Sequence, residues 1–450
     1  MAFTSHDLAA RRARFEQFVR PVQDFIQTET SGGMVLLGAA LAALIWANSP
    51  WSAFYHDLLE QKVTVDLGVY TLSKSLHAVI NDGAMTVFFF LVGLEIKREV
   101  TLGELASRRR VIVPLLGALG GIIAPALIFV AITRDPELAK GWGIPIATDI
   151  AFALGVLAML GPRISNGLKA LLLAIAIVDD IGAIIVIAVF YTETVSWAPM
   201  GIALSMLLAA WVAQQWGIWW IPLYVLFGVI AWAAVLESGI HPTIVGVAFG
   251  LMTPWRAWYR SEGFSDLAQR MIERFRSSEQ AHDPEEAHEL RTDALLTLRA
   301  ISVHSVAPLD RLEHELHPVV AFGIVPLFAL ANAGVTLSPE TVNDALGSAL
   351  TWGVAIGLVL GKPVGITAGI WLAVRAGAQL PLGVRWRSVF GLGVLGGIGF
   401  TVSLFITELS FADATPINDA KFGILVASLV AGLGGYALLW ATEAPPAAAD

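Results

Sequence analysis

Residues 170 to 192, ALLLAIAIVDDIGAIIVIAVFYT, are long enough for one helix to cross a bilayer, yet two adjacent carboxylates, Asp179 and Asp180, sit at their centre. Chains seldom keep acids at that depth unless they handle ions or protons. The rest of the sequence points to the same setting, with 56% apolar and 14% charged residues, far from an ordinary soluble domain. A polytopic membrane protein follows. The formal charge of −9 adds little, because the placement of cations matters more than their sum. With no cysteine, disulfides and thiolate metal sites are excluded.

Apolar runs of spanning length fall near residues 32–49, 75–96, 111–133, 141–162, 170–192, 196–213, 218–236, 238–254, 318–338, 345–374, 388–407 and 422–441, predicting twelve transmembrane helices. The long apolar stretch from 194 to 236 is divided at Gln214, Gln215 and Gly217. The first run follows a polar start carrying Arg11, Arg12, Arg14 and Arg20, and is expected to be a retained span, not a cleaved signal. With the N-terminus inside, the short internal segments carry fourteen Lys or Arg and the external ones five, so both termini are expected in the cytoplasm. The expected organisation is a cytoplasmic segment 1–31, spans over 32–254, a charged cytoplasmic loop 255–316, spans over 317–441 and a cytoplasmic tail 442–450. The loop's twelve acids and eight arginines suggest surface helices more than a folded domain. Outside, KVTVDLGVYTL at 62–72 alternates apolar and polar residues as a short β-hairpin would.

Six intramembrane charges carry the chemistry: Asp82, Glu95, Asp149, Asp179, Asp180 and Lys362. Glu95 precedes Lys97 and Arg98 at a helix end, where an interfacial ion pair is the plain expectation. Asp82 lies about seven residues inside the external end of the second span, either in a funnel mouth or as an ordinary helix-end acid. Asp149 is near the middle of its span, in a run with Gly143, Pro145 and Thr148. Proline removes a backbone donor and leaves carbonyls that ions, water or protein must satisfy. Lys362 is equally deep in the tenth span and precedes Pro363. An ammonium there needs an acid partner, for which Asp179 and Asp180 are the candidates. Adjacent helical residues diverge by about 100°, so one of them can pair with Lys362 while the other lines a cavity.

Three acids against one base leave a surplus of negative charge that a monovalent cation or protons can relieve. The two then compete for the same carboxylates, which is the physical basis of exchange. Carboxylates, the Thr148 hydroxyl and freed carbonyls are hard oxygen ligands suited to alkali or alkaline-earth ions. GLGVLGGIGFTVS at 391–403 marks a second interrupted helix. Spans 3–5 and 10–12 are then two three-helix units with broken central helices 4 and 11. They lie seven spans apart and are therefore inverted, which is a transporter pattern.

At these residues the chain resembles the NhaA family of sodium/proton antiporters. The matching stretches include HAVINDGAMTVFFFLVGLEIKRE (77–99), GWGIPIATDIAFALGVLAMLG (141–161), LLLAIAIVDDIGAIIVIAVFYT (171–192), LESGIHPTIVGVAFGLMTP (236–254), RLEHELHPVVAFGIVPLFALANAGV (311–335), LGKPVGI (360–366) and GGIGFTVSLFI (396–406). The resemblance implies that Asp180 is the main sodium ligand and proton carrier and that Asp179 pairs with Lys362. It implies that Asp149 compensates helix-end dipoles and that Thr148 lies near the ion. Asp82 would be a funnel acid, while Glu95, His241, Glu313, His314 and His317 would serve the pH response. A homodimer joined partly through the external β-hairpin, in a bacterial inner membrane, is implied as well. No cofactor, nucleic acid or protein partner is expected, only lipid and the transported sodium or lithium ions and protons. The charged loop is longer than the resemblance leads one to expect, and of its histidines His282, His288 and His304 are expected to be mostly passive.

Other functions fit less well. A membrane prenyltransferase wants acids spaced along a helix near a membrane face, whereas Asp180 is followed by Ile181, Gly182, Ala183 and Ile184. An intramembrane aspartyl protease needs its acids on different spans and leaves Lys362 unexplained. A channel suits fast conduction better than a carboxylate site emptied by protonation. The expectation is electrogenic, pH-regulated exchange of internal sodium or lithium for external protons by alternating access.

Overall fold

The computed structural model describes residues 29–66, 71–107, 110–192, 194–218, 220–257, 261–278 and 283–443. Most of the expected N-terminal segment, the centre of the expected hairpin, His282 and nearly all of the expected tail lie outside them. The helices, in chain order, are α1 (Glu29–Ala47), α2 (Ser52–Glu60), α3 (Leu76–Leu102), α4 (Ile112–Ile132), α5 (Pro136–Ile146), α6 (Ile150–Met159), α7 (Asn166–Phe190), α8 (Trp197–Gln215) and α9 (Ile221–Leu236). They continue with α10 (Thr243–Met252), α11 (Ser261–Ser277), α12 (Pro284–His304), α13 (Pro308–Asn332), α14 (Pro339–Gly347), α15 (Ala349–Arg375), α16 (Trp386–Leu395), α17 (Phe400–Ser410) and α18 (Ala414–Thr442). Strands β1 (Lys62–Asp66) and β2 (Thr71–Ser75) form a two-stranded antiparallel sheet, Lys62 opposite Ser75 and Asp66 opposite Thr71.

Seven of these helices are long and apolar enough to cross a membrane, and three bent pairs bring the number to ten if each pair is one span. The pairs are α1 with α2 (112°), α5 with α6 (44°) and α16 with α17 (47°). α9 and α10 are apolar but shorter. Large apolar side chains stand bare on the outside, Ile45 at 70% and Leu127 at 66% exposure among them, which is the surface of a protein bathed in lipid. The 194–236 stretch turns between α8 and α9, where Gly217 takes a φ of 74° that favours glycine.

The ninth predicted span starts earlier than expected. α13 begins at Pro308, so RLEHELHP belongs to the helix and the chain leaves it after Asn332, not at residue 338. The charged residues of this segment lie at helical spacing, and Pro318 is accommodated because the helix widens to a π turn over Val320–Ile324. The remainder of the charged loop forms α11 and α12, joined by Arg274 and Asp293 at 3.0 Å. Similar wide turns occur at Val79–Ala84 in α3 and at Gly357–Gly361 in α15, the latter next to Lys362 and Pro363. α15 therefore widens where its proline falls and does not break.

The core lies where α1, α3, α4, α6, α7, α13 and α15 to α18 meet, with Phe129, Phe328, Lys362 and Phe405 its largest fully buried side chains. α4 and α15 touch backbone to backbone: a Cβ on Gly120 or on Gly365 would collide with the carbonyl of the other. Small residues allow this approach, and in lipid such packing drives helix association in place of the hydrophobic effect. The seam holds Lys362 at fixed depth. Replacing Gly365 with Leu should force the helices apart and cost roughly 3 kcal/mol or more. Gly38→Leu, where nothing lies within 4 Å of the added Cβ, should be neutral. Thermal unfolding in detergent compares them, and equal melting temperatures would refute the seam's role.

Candidate functional site

Each broken pair leaves helix ends unpaired in the interior, and each supplies what the other lacks. α5 tightens into a 3₁₀ turn over Lys140–Ile146, and the chain then runs extended through Thr148 and Asp149 before α6 begins. Opposite it, Gly396 to Gly399 separate α16 from α17. The Asp149 N–H donates to the Ile398 carbonyl at 2.6 Å, and the Ser403 hydroxyl to the Ile144 carbonyl at 2.7 Å. The two breaks cross in contact.

Asp149 lies at the crossing. Its Oδ1 accepts the Phe152 N–H of α6 at 2.9 Å, and its Oδ2 accepts the N–H and hydroxyl of Thr401 at 3.1 and 2.7 Å. One carboxylate thus caps two helix N-termini, where the aligned peptide dipoles favour negative charge. It is 2% exposed, so its surroundings are protein and its hydrogen bonds are local.

Asp179 and Asp180 sit mid-way along α7, which is capped by Ser165, whose side chain accepts the Leu168 N–H at 3.2 Å. Lys362 Nζ donates to Asp179 Oδ2 at 2.6 Å, with both residues fully buried. The Thr148 hydroxyl lies 2.9 Å from the same Oδ2 and 2.9 Å from the Gly396 carbonyl, able to donate to either. Asp179 Oδ1 has no hydrogen-bond partner among the described residues. Asp180 is 5% exposed and makes no side-chain hydrogen bond or ion pair among the described residues. The Thr148 hydroxyl, the Gly396 carbonyl and the Lys362 ammonium thus converge at Asp179 Oδ2, and Asp180 is the next residue along α7. Among the described residues no three His, Asp or Glu side chains converge as a resident metal centre would need.

The outlying candidates divide. Glu95 makes no ion pair with Lys97 or Arg98. Arg98 instead binds Glu313 at 2.5 Å, tying α3 to α13, and Glu95 is half-buried on α3. His314 and His317 lie exposed on α13, and Glu313 is half-buried. His241 is in the short connection between α9 and α10. Asp82 sits half-buried in the wide turn of α3 beside Lys74 and His77, and its main-chain carbonyl accepts from Trp232 Nε1 at 3.2 Å. The motif GLGVLGGIGFTVS contains Thr401 and Ser403, but nothing in it names Asp149 or Ile144 as their partners.

A buried ion pair costs more when one partner is removed than when both are. Lys362→Met should destabilise the protein by roughly 3–5 kcal/mol, and the double variant with Asp179→Asn should recover much of that loss. Unfolding in detergent is the measurement, and a double variant as unstable as the sum of the singles would contradict the pairing.

A model of the family described as Na+/H+ antiporter 1 matches residues 23–439. The chain is 47% identical over 421 residues to the "Na(+)/H(+) antiporter NhaA 2" of Syntrophotalea carbinolica, covering 93% of this chain and 96% of that one. It is 44% identical to the protein of the same name from Sorangium cellulosum, covering 96% and 91%. It is also 44% identical to the "Na(+)/H(+) antiporter NhaA" of Oleidesulfovibrio alaskensis, covering 96% and 97%. With its apolar helices and this likeness over nearly its whole length, the chain is a multi-pass membrane transporter, not an enzyme, and it belongs to the Na+/H+ antiporter 1 family.

Proposed function

We propose that the protein is an electrogenic, pH-regulated antiporter of a bacterial inner membrane, exporting sodium or lithium in exchange for protons, more than one proton per cation. Asp180 is the carboxylate that alternately binds the cation and the proton. The observation that carries this is the asymmetry of the two adjacent acids: Asp179 is committed to Lys362, while the Asp180 side chain has no hydrogen-bond or ion-pair partner among the described residues. A sodium ion arriving at Asp180 finds Asp179 Oδ1 and the Thr148 hydroxyl as further hard ligands, and protonation of Asp180 removes the charge that holds it. Lys362 offsets one negative charge, so the site is neutral overall when Asp180 and Asp149 have been satisfied by cation, proton or helix dipole. Asp149 keeps the crossed breaks together, and the broken-helix units move around the site to expose it to one side and then the other.

The same reading takes the chain as twelve spans, with α9 and α10 counted as crossings and α2 as an external surface helix. Both termini are then cytoplasmic, α11 and α12 form a cytoplasmic connector, and the units α4–α7 and α15–α18 are inverted repeats. Asp82 lies in the external funnel, and Glu95, Glu313, His314, His317 and His241 contribute to the pH response on the basis of their resemblance. The two-stranded sheet offers unpaired edges through which a second copy can join.

In everted vesicles with an imposed proton gradient, adding sodium should dissipate the gradient, more strongly at alkaline pH where protons compete less for Asp180. A pH dye reads this directly, with lithium and potassium run alongside. Asp180→Asn should abolish the response, and a variant as active as the parent would sink the carrier role. Deleting residues 62–75 should turn dimers into monomers by mass measurement in detergent, while unchanged dimers would move the interface elsewhere.

A further inference from the structure

At the end of α7 furthest from Ser165, Tyr191 closes that helix and does a task separate from the ion site. Its hydroxyl donates to the Lys140 carbonyl at 2.7 Å and accepts the Gly143 N–H at 3.2 Å, both in the tight turn of α5. The fit is close: a Cβ on Gly143 would lie 2.8 Å from the tyrosine oxygen. The Ser410 side chain, ending α17, stands beside the same hydroxyl. Around it Trp142 meets Phe190 edge to face at 5.0 Å, and Phe411 packs on Gly141. One hydroxyl therefore ties the end of α7 to the first half of one broken pair, and Phe411, just past the other, packs on that same half.

These contacts complete a ring. From Asp179 the chain runs about 18 Å along α7 to Tyr191. It crosses by the hydroxyl to Gly143, then follows α5 to Thr148, which returns to Asp179 Oδ2 at 2.9 Å. The ring fixes Thr148 against Asp179, and a passage between α5 and α7 opens at this end only if Tyr191 lets go. A similar tie recurs at the opposite end. There Arg163, after α6, stacks 3.5 Å above Trp440 of α18, and Ser388 of α16 donates to Glu443 just past that helix.

We infer that Tyr191 is a positioning residue for exchange, a hydroxyl latch that holds α5, the outer half of one broken pair, to α7 and favours the externally closed state. The inference rests on the antiport reading and on the orientation proposed with it. Opening the external route requires breaking both hydrogen bonds of the hydroxyl, so their loss raises the open population.

The chain has no cysteine, so a single one reports cleanly. Val186, 7% exposed and facing Gly143, becomes accessible when α5 leaves α7. In a Val186→Cys background, Tyr191→Phe should raise labelling by a membrane-impermeant maleimide on intact cells roughly fivefold, the effect of about one lost hydrogen bond on a two-state equilibrium. Gly143→Ala, which crowds the same hydroxyl from the other side, should act in the same direction. In everted vesicles Tyr191→Phe should raise the half-saturating sodium concentration and keep the maximal rate within about twofold, as expected when fewer molecules are in the inward-binding state. Labelling unchanged in both variants overturns the latch, whatever the rates do. Asp180→Asn in the same background separates the two ideas: exchange surviving there removes the carrier role and leaves the Tyr191 labelling result standing.

Discussion

The buried pair between Lys362 and Asp179 is the interaction on which the rest is arranged. Taking an ammonium and a carboxylate out of water costs several kcal/mol each, and attraction at 2.6 Å offsets that only if other polar partners are at hand. Thr148 supplies one, and it is available only because the helix of α5 and α6 is interrupted at that level. The glycine seam between α4 and α15 sets the depth of Lys362, and α7 sets that of Asp179. With one of two adjacent acids neutralised, the other acquires a different chemistry from its twin although they share a helix.

Interrupting two helices in a membrane interior exposes backbone groups that lipid cannot satisfy. The crossing resolves this by exchange. The Asp149 amide and the Ile398 carbonyl close one gap, Ser403 and Ile144 another, and the Asp149 carboxylate serves both helix starts. Such a joint is strong as a unit but lacks the continuous ladder of a helix, so it can hinge where a straight span cannot. The stability of the site and its capacity to change shape come from the same few bonds.

Much of this was legible before any coordinates. Charges in an apolar setting are conspicuous, and Thr148, Asp179 and Lys362, up to 214 positions apart in the chain, touch one another. Thr401 was visible as a polar residue after glycines, but its partner lies 252 residues away and no local pattern encodes that pairing. α13 starts ahead of its apolar run because hydropathy marks where lipid begins, whereas a helix follows its hydrogen bonds and extends beyond the apolar residues. Glu95 illustrates a related limit. Three residues of sequence separation from Arg98 put the two within reach, but Glu313 on another helix takes the arginine. Tyr191 gave no signal at all, since a tyrosine at the end of a span is ordinary until its neighbours are known.

The wide turns in α3, α13 and α15 have a consequence for how such a chain tolerates change in length. A π turn holds one residue more than the α-helical turn it replaces and leaves the helices on either side in nearly their original phase. In α15 the surplus residue is absorbed within Gly357–Gly361, so Gly365 and Gly369 keep their places against α4 while the backbone next to Lys362 is loosened. An insertion that would elsewhere rotate every later side chain by about 100° is here confined to a single turn. The extra residue is thus carried as a local defect, and the register of a long packed helix survives it.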